Sequence, residues 1–213
     1  MRDAVNAEFD RLERLNIITP VQHSEWAAPI VVVRKSNGQL RIYGDYSTGL
    51  NASLYTHDYP LPLPQDIYTK LGNSTISSQI DLYDASLQVP IAEQKRRLLT
   101  INTHKGLYLY NCLPPGIKVA PGTFQQQIMV HNQMLAGMER VASYMDDVIV
   151  GGRTQREHDD VLNETLRRIQ EYGFTIRLEK CSFNKRQVRY LGHILDNHGI
   201  RPDPAKIAAI KDL

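Results

Sequence analysis

Apolar residues recur along this chain with two periods, and the changes between them mark its elements. Val5, Phe9, Leu12 and Leu15 fall at helical spacing and predict a helix ending near Asn16. APIVVVRKSNGQLRIYGDY predicts two strands joined by an Asn37-Gly38 turn. Pro60, Pro62 and Pro64 disfavour helix in the residue before each, so YPLPLP runs extended. A short helix follows, closed by Gly72. STISSQIDLYDA reads as a strand running into Asp81, and RRLLTINTHKGLYLYNCL as a hairpin turning at His104-Lys105-Gly106. APGTFQQQIMVHNQMLAGM predicts a helix. In ERVASYMDDVIVGGR, Val141, Ala142, Val148, Ile149 and Val150 have the character of strand interior, which predicts a hairpin with Asp146-Asp147 at its turn. Thr154 and Glu157 have capping-box spacing. The helix they open carries Val161, Leu162, Leu166 and Ile169 on one side and stops at Gly173. FTIRL and VRYLGHIL predict strands. DPAKIAAIKDL predicts a last helix with Asp203 as cap and Pro204 at its first position.

From Ile80 onward the order is strand, hairpin, helix, strand-turn-strand, helix, strand. With the inserted hairpin set aside, this is the split βαβ (ferredoxin-like) arrangement, an α+β fold. It lays the QIDLYD strand beside the SYMDDVIV hairpin. Neighbouring strands lie about 4.8 Å apart, so Asp81 and Asp146 are expected to point into the same small space.

A length of 213 residues suffices for one large domain or two small ones. The net charge of +2 is too mild to imply nucleic acid alone, so any basic footprint must be local. One such strip is Arg177, Lys180, Lys185, Arg186 and Arg189, opposed only by Glu179. Cys112 and Cys181 form no CxxC pair, which argues against a disulfide framework or zinc site and for a reducing compartment. The longest apolar run, AAPIVVV, is far short of a spanning helix, and the charged N-terminus is neither signal peptide nor anchor. These features predict a soluble intracellular chain without a membrane partner.

Three carboxylates on one sheet edge repel one another unless divalent cations neutralise them. Oxygen-only ligands suit Mg²⁺ or Mn²⁺. Two such ions about 4 Å apart can activate an attacking hydroxyl and stabilise a leaving phosphate oxygen. An acid pair at a turn is also ordinary turn chemistry, since Asp is common there. The placement inside a hairpin, with Asp81 on a candidate partner strand, favours the metal reading.

YMDD resembles the central motif of reverse transcriptases. The resemblance runs in order through EWAAPIVVVRK, LRIYGDYSTGLN, YPLPLPQDI, QIDLYDASLQV, LPPGIKVAPGTFQ, SYMDDVIVGG, GFTIRLEKCSF and VRYLGHIL. In this order they are similar to the polymerase segment of Gypsy-type LTR-retrotransposon Pol polyproteins. The resemblance implies a polymerase right-hand fold of fingers plus palm, with a ferredoxin-like palm sheet and the thumb largely absent. Residues 1–79 would be the N-terminal segment and fingers hairpin, and 80–192 the palm, with a fingers insertion at about 92–118. Residues 193–213 would start the thumb or connection. The implied activity is RNA-directed DNA polymerisation: a primer 3′-hydroxyl attacks the α-phosphate of a dNTP by a two-metal mechanism, releasing pyrophosphate.

By the same resemblance, Asp81 and Asp146 are the principal metal ligands. Asp147 is the third carboxylate and the Leu82 carbonyl a further ligand, for Mg²⁺ with Mn²⁺ as substitute. Arg41 matches the triphosphate-binding arginine, and either Arg34 or Lys35 the neighbouring basic position. The amides of Asp84 and Ala85 face the triphosphate, and Ser86 stands at the sugar-sensing position. Pro115 and Gly116 belong to the segment contacting template and incoming nucleotide. Gly116 allows close backbone approach, and Gln125 opens the following helix. Tyr190, Leu191 and Gly192 match the primer grip, and Lys180 a proton donor to pyrophosphate. The implied partners are RNA or DNA template with primer, dNTPs, and the protease, RNase H and integrase of the polyprotein. The implied location is a cytoplasmic virus-like particle.

Four features depart from the family pattern. Ser86 replaces a Tyr or Phe that blocks the ribose 2′-hydroxyl, Pro115 replaces Phe or Gln, and Cys112 replaces a larger residue. FQQQIMVHNQMLAG is about three residues longer than its place in the family pattern calls for, nearly one helical turn. They raise an alternative, a catalytically impaired or inactive nucleic-acid-binding remnant of such an element. An RNA-binding ferredoxin-like module would read bases with sheet aromatics. Here the corresponding strands carry acids, which repel phosphate.

Overall fold

The computed structural model describes residues 2–34, 38–55, 61–126, 134–205 and 207. In chain order the elements are α1 (Arg2–Arg14), β1 (Ile18–Val21), β2 (Ala28–Arg34), β3 (Leu40–Gly44), α2 (Leu50–Ser53), α3 (Pro64–Leu71) and β4 (Ile76–Asp81). Then come α4 (Glu93–Arg96), β5 (Thr100–Thr103), β6 (Gly106–Tyr110), α5 (Ala120–Gln126), β7 (Val141–Tyr144) and β8 (Asp147–Gly152). The last are α6 (Gln155–Glu171), β9 (Ser182–Lys185), β10 (Gln187–Tyr190), β11 (His193–Asp196) and β12 (Gly199–Pro202). The chain forms two compact units, residues 1–58 with 84–124 and residues 59–83 with 125–213.

The first unit is built on a five-stranded sheet in the order β1-β6-β5-β2-β3. Helix α1 buries Val5, Phe9 and Leu12, with the Phe9 ring stacked on Tyr108 at 5.5 Å. Leu15 is left exposed, because the chain leaves the helix at Arg14 and turns through the left-handed Asn16. The β2–β3 hairpin forms as expected, pairing Arg34 with Leu40. Asn37 of its turn lies outside the described residues, whereas Gly38 has the positive φ of 83° that suits glycine there. Strand β1 was not foreseen. Its Thr19 and Pro20 break the apolar run, and only pairing with β6 makes it a strand.

In the second unit the main sheet runs β9-β4-β8-β7, with every pairing antiparallel. That is the ferredoxin-like order, with α6 as the crossover helix between β8 and β9. Helix α3 places Ile67, Tyr68 and Leu71 in a core with Ala142, Ile149, Val188, Tyr190 and Leu195. Gly72 ends α3 at φ 57°. Thr154 caps α6 by accepting from the Glu157 amide at 3.2 Å. The expected return bond is displaced: the Glu157 carboxylate accepts from the Arg153 amide, one residue before the cap, and from Arg140. On α6 the buried residues are His158, Leu162, Thr165 and Ile169, while Val161 and Leu166 are half-buried.

Four expectations need correction here. The turn of the central hairpin is Met145-Asp146, and Asp147 is already the first residue of β8, opposite Tyr144. FTIRL is not a strand: Ile176 makes one isolated bridge to Leu82, and Leu178–Lys180 is a 3-10 turn. The fourth strand of the sheet is β9 instead. VRYLGHIL is a hairpin, because Leu191 and Gly192 both take positive φ and reverse the chain. Strand β12 pairs onto it. Finally, of the helix predicted over residues 120–138, Ala120–Gln126 is helical, residues 127–133 lie outside the described residues, and residues 134–137 form a bend and turn ending at the left-handed Gly137. At the C-terminal end, Asp203 caps as expected, accepting from the Ala205 amide at 3.1 Å. Among the described residues no helix is long and apolar enough to cross a membrane.

Candidate functional site

In the second unit, β4 and β8 pair in a register that sets Asp81 directly opposite Asp147. One step further, the Leu82 amide donates to the Asp146 carbonyl at 2.8 Å. Strand pairing therefore fixes the backbone of all three acids. Asp146 is exposed at the turn, Asp147 is half-buried and Asp81 is only 9 % exposed.

The turn itself is strained. Met145 has φ 55°, uncommon for a residue with a side chain, and such outliers persist only where their surroundings hold them. The holding group is Gln125, fully buried. Its Oε1 accepts from the Met145 amide at 2.9 Å, and its Nε2 donates to the Ser143 carbonyl at 3.2 Å. Gln125 does not open α5: it is the sixth residue of that helix.

Asp81 sits in a mixed electrostatic setting. Burial pushes its carboxyl above the usual range, Lys180 and Arg177 pull it down, and Asp146 pushes it up. Lys180 Nζ stands 3.7 Å from Oδ2, and Arg177 Nη1 3.3 Å from Oδ1. Oδ1 is nonetheless buried and accepts no hydrogen bond. Burial raises Asp147 too, followed by Asp146 and Asp81, while a Gln79 hydrogen bond lowers it. Lys180 and Arg177 thus offset only part of what burial and the neighbouring carboxylates do to these acids.

Among the described residues no three His, Cys, Asp or Glu side chains already close around one point. The donor chemistry still fits a hard divalent cation. The candidate donors are oxygens gathered where β4 ends and β8 begins, one of them buried and unsatisfied, and waters or phosphate oxygens complete such sites.

Supporting contacts surround the acids. The Asp81 amide donates to Cys181 Sγ at 3.4 Å, its carbonyl accepts from the Arg177 amide at 2.8 Å, and Cys181 Sγ donates to the Arg177 carbonyl at 3.3 Å. The Tyr190 hydroxyl donates to the Asp147 carbonyl. Tyr190 is 1 % exposed, and burial pushes its phenol far up. Leu191 and Gly192 form the half-exposed turn beside it, and the Gly192 carbonyl accepts from the Asp203 amide. The structure thus gathers Asp81, Leu82, Asp146, Asp147, Lys180, Gln125 and Tyr190 within one unit. Arg177 and Cys181 were missed as neighbours of Asp81. In the sequence Arg177 is one charge among several, and only the fold shows it buried.

The first unit holds the other candidates. Arg34, exposed, and Arg41, half-buried, lie on the paired strands β2 and β3, and Arg41 Nη1 donates to the Tyr43 hydroxyl at 3.3 Å. Lys35 lies outside the described residues. Asp84 is left-handed, with Oδ2 3.4 Å from Arg11 Nη2. It precedes a 3-10 turn, Ala85–Gln88, in which Ala85 is buried and Ser86 half-buried. Gly116 has φ 98°, and a Cβ there would meet the Gly44 carbonyl oxygen at 2.3 Å. Asn51, the last residue of LRIYGDYSTGLN and one to which the sequence assigned no role, clamps this loop: Nδ2 donates to the Gly116 carbonyl and Oδ1 accepts from the Lys118 amide. Pro115 beside it is half-buried.

Comparison with known proteins gives one consistent result. The family described as "Reverse transcriptase (RNA-dependent DNA polymerase)" matches residues 28–195. A Caenorhabditis elegans relative, "Uncharacterized protein K02A2.6", is 41% identical over 213 residues, covering 99% of this chain and 16% of its own length. The "Retrovirus-related Pol polyprotein from transposon 412" of Drosophila melanogaster is 30% identical over 218 residues, covering 99% of this chain and 17% of its own length. The chain therefore spans about a sixth of these relatives. Among solved structures, the foamy viral protease-reverse transcriptase dRH in complex with double-stranded DNA has a TM-score of 0.90 at 21% identity, covering 99% of this chain and 36% of that one. The foamy viral enzyme in complex with an RNA/DNA hybrid has a TM-score of 0.86 at 20% identity, covering 99% and 28%.

Proposed function

Because this chain belongs to the reverse transcriptase family, we propose that it is the RNA-directed DNA polymerase segment of a Gypsy-type retrotransposon Pol polyprotein, copying an RNA or DNA template from a primer. The observation that carries this reading is the register of β4 on β8, which aligns Asp81 with Asp147 and puts Asp146 on the turn beside them.

Asp81, Asp146 and Asp147, with the Leu82 carbonyl, would hold Mg²⁺, and Mn²⁺ in its place. When bound, a pair of such ions supplies activation of the primer hydroxyl and charge stabilisation on the phosphates. The chain's own residues do the rest. Tyr190 and Gln125 hold β8 and its turn in place, and such positioning is most of what phosphoryl transfer asks of a protein. The Leu191-Gly192 turn is assigned to the primer terminus. Arg41, with Arg34 or Lys35 and the amides of Asp84 and Ala85, is assigned to the triphosphate, where a guanidinium fork suits phosphate oxygens. Pro115 and Gly116 are assigned to the nucleotide and template, and Gln125 enters as the brace of the central hairpin. The new bond joins the primer O3′ to the α-phosphorus as the bond to pyrophosphate breaks. Lys180 Nζ is assigned to return a proton to that leaving group.

The first unit is read as fingers and the second as palm. The remaining partners are read as the protease, RNase H and integrase of the polyprotein, and the location as a cytoplasmic particle. A second reading, a copy with impaired activity, rests on Ser86 and Pro115 at the nucleotide. Extension of oligo(dT) on poly(rA) with Mg²⁺ or Mn²⁺ tests both. Incorporation lost in Asp81→Asn and Asp146→Asn supports the polymerase, and none in the unmutated chain supports the impaired copy.

A further inference from the structure

Arg177 is an unusual neighbour for a cation-binding carboxylate. It is buried, 8 % exposed, in a unit whose other basic residues of the same strip reach outward. Its guanidinium carbon lies 4.8 Å from the centre of the Tyr83 ring, and its backbone amide donates to the Asp81 carbonyl. Backbone and side chain together therefore fix Arg177 against Asp81.

The side-chain contact has a particular form. Nη1 is 3.3 Å from Oδ1, close enough for strong attraction, yet Oδ1 accepts no hydrogen bond. Between Nη1 and Oδ1 the attraction is one of charge rather than of a directed bond. A second acid waits nearby, with Glu179 Oε1 at 3.9 Å from Arg177 Nε, and Glu179 is mostly exposed. The guanidinium thus has an aromatic face and another carboxylate to keep it in place if Asp81 is taken by something else.

We propose that Arg177 is a positioning residue for Asp81, an internal counter-charge that holds this carboxylate before the divalent cation arrives and competes with the cation for it. This rests on the reading of Asp81 as a cation ligand. A buried carboxylate without a partner costs the fold far more than an exposed one. Arg177 lets the chain fold with the acid in position. The same positive charge then stands against the incoming ion. A unit charge a few ångströms from a divalent ion, in a partly open site, changes affinity on the order of tenfold. Arg177 thereby sets the cation concentration at which the site fills.

The test is Mn²⁺ binding followed by electron paramagnetic resonance, on the unmutated chain and on Arg177→Gln, Arg177→Lys and Asp81→Asn. Arg177→Gln is expected to bind Mn²⁺ about tenfold more tightly while melting at a lower temperature without metal. Arg177→Lys, which keeps the charge, should stay near the unmutated affinity. If Asp81→Asn weakens binding but Arg177→Gln leaves it unchanged, the counter-charge is wrong and the cation site stands. If Asp81→Asn binds as the unmutated chain does, the cation site itself is wrong and the counter-charge falls with it. Arg177→Gln can fail to fold, so the unmutated chain provides a further measurement. The ¹⁵N–H resonance of Arg177 Nε should shift as Mg²⁺ is added, and a resonance unmoved at saturating Mg²⁺ overturns the proposal.

Discussion

The hydroxyl of Tyr190 donates to the backbone carbonyl of Asp147 across 3.0 Å. One bond thereby ties the β10–β11 hairpin to the first residue of β8, the point where the acidic turn begins. Tyr190 also receives the Tyr68 hydroxyl at its own carbonyl, 3.2 Å away, so the link continues into α3. Tyr190→Phe keeps the ring and removes only the donor. It should cost about 1–2 kcal/mol, seen as a lower urea midpoint with an unchanged slope. A midpoint equal to that of the unmutated chain would mean the bond contributes nothing.

Asp147 gives a pH dependence. Burial, then Asp146 and Asp81, raise its carboxyl above the ordinary value. A carboxyl with a higher pKa in the folded chain holds its proton more readily there than when unfolded. Its contribution to stability is full at low pH and is lost as pH rises through the folded value. Asp147→Asn escapes that loss. In cation-free buffer the variant should melt a few degrees above the unmutated chain at pH 7, with the gap closing below about pH 4. Added Mg²⁺ should favour the unmutated chain instead. A variant that melts lower at neutral pH without metal contradicts this.

Gly116 allows no side chain. Its φ of 98° is left-handed, and a Cβ would lie 2.3 Å from the Gly44 carbonyl oxygen, which is backbone and has no rotamer to change. Gly116→Ala should destabilise by about 2 kcal/mol or more, and calorimetry that finds no loss would show that the loop opens freely.

The proposed placement of Ser86 at the nucleotide leads to an expectation about sugar choice. A hydroxymethyl group does not fill the volume of the aromatic ring that reverse transcriptases use to exclude the ribose 2′-hydroxyl. Ser86→Tyr should raise the ratio of dNTP to rNTP incorporation about tenfold or more, measured with both substrates on one primer. A strong dNTP preference already present with Ser86 would remove the basis for the expectation.

The β2–β3 hairpin, the end of β4 at Asp81 and the Thr154 cap were legible because each depends on local chemistry: alternation, a turn glycine, a capping hydroxyl. Leu191 shows the limit. Its left-handed φ turns VRYLGHIL into a hairpin, and a leucine gives no warning of that, although Gly192 offered half the signal. FTIRL looked like a strand by composition, but in the fold it carries Arg177 to Asp81, where the ring contact with Tyr83 and the hydrogen bonds with the Asp81 carbonyl and Cys181 outweigh strand propensity. Of the site, the acids were visible as a motif. What supports them was not, because Gln125, Arg177 and Cys181 act through contacts across the fold.

Gln125 has a consequence for how this chain tolerates mutation. Its carboxamide works at both ends, accepting from Met145 and donating to Ser143, in a place closed to water. Glutamate offers no donor, lysine no acceptor, methionine neither, and asparagine is a methylene too short. A copy that drifts at this codon would keep its acids and lose the shape of the turn that presents them, so an intact YMDD string alone is a poor certificate of a working copy.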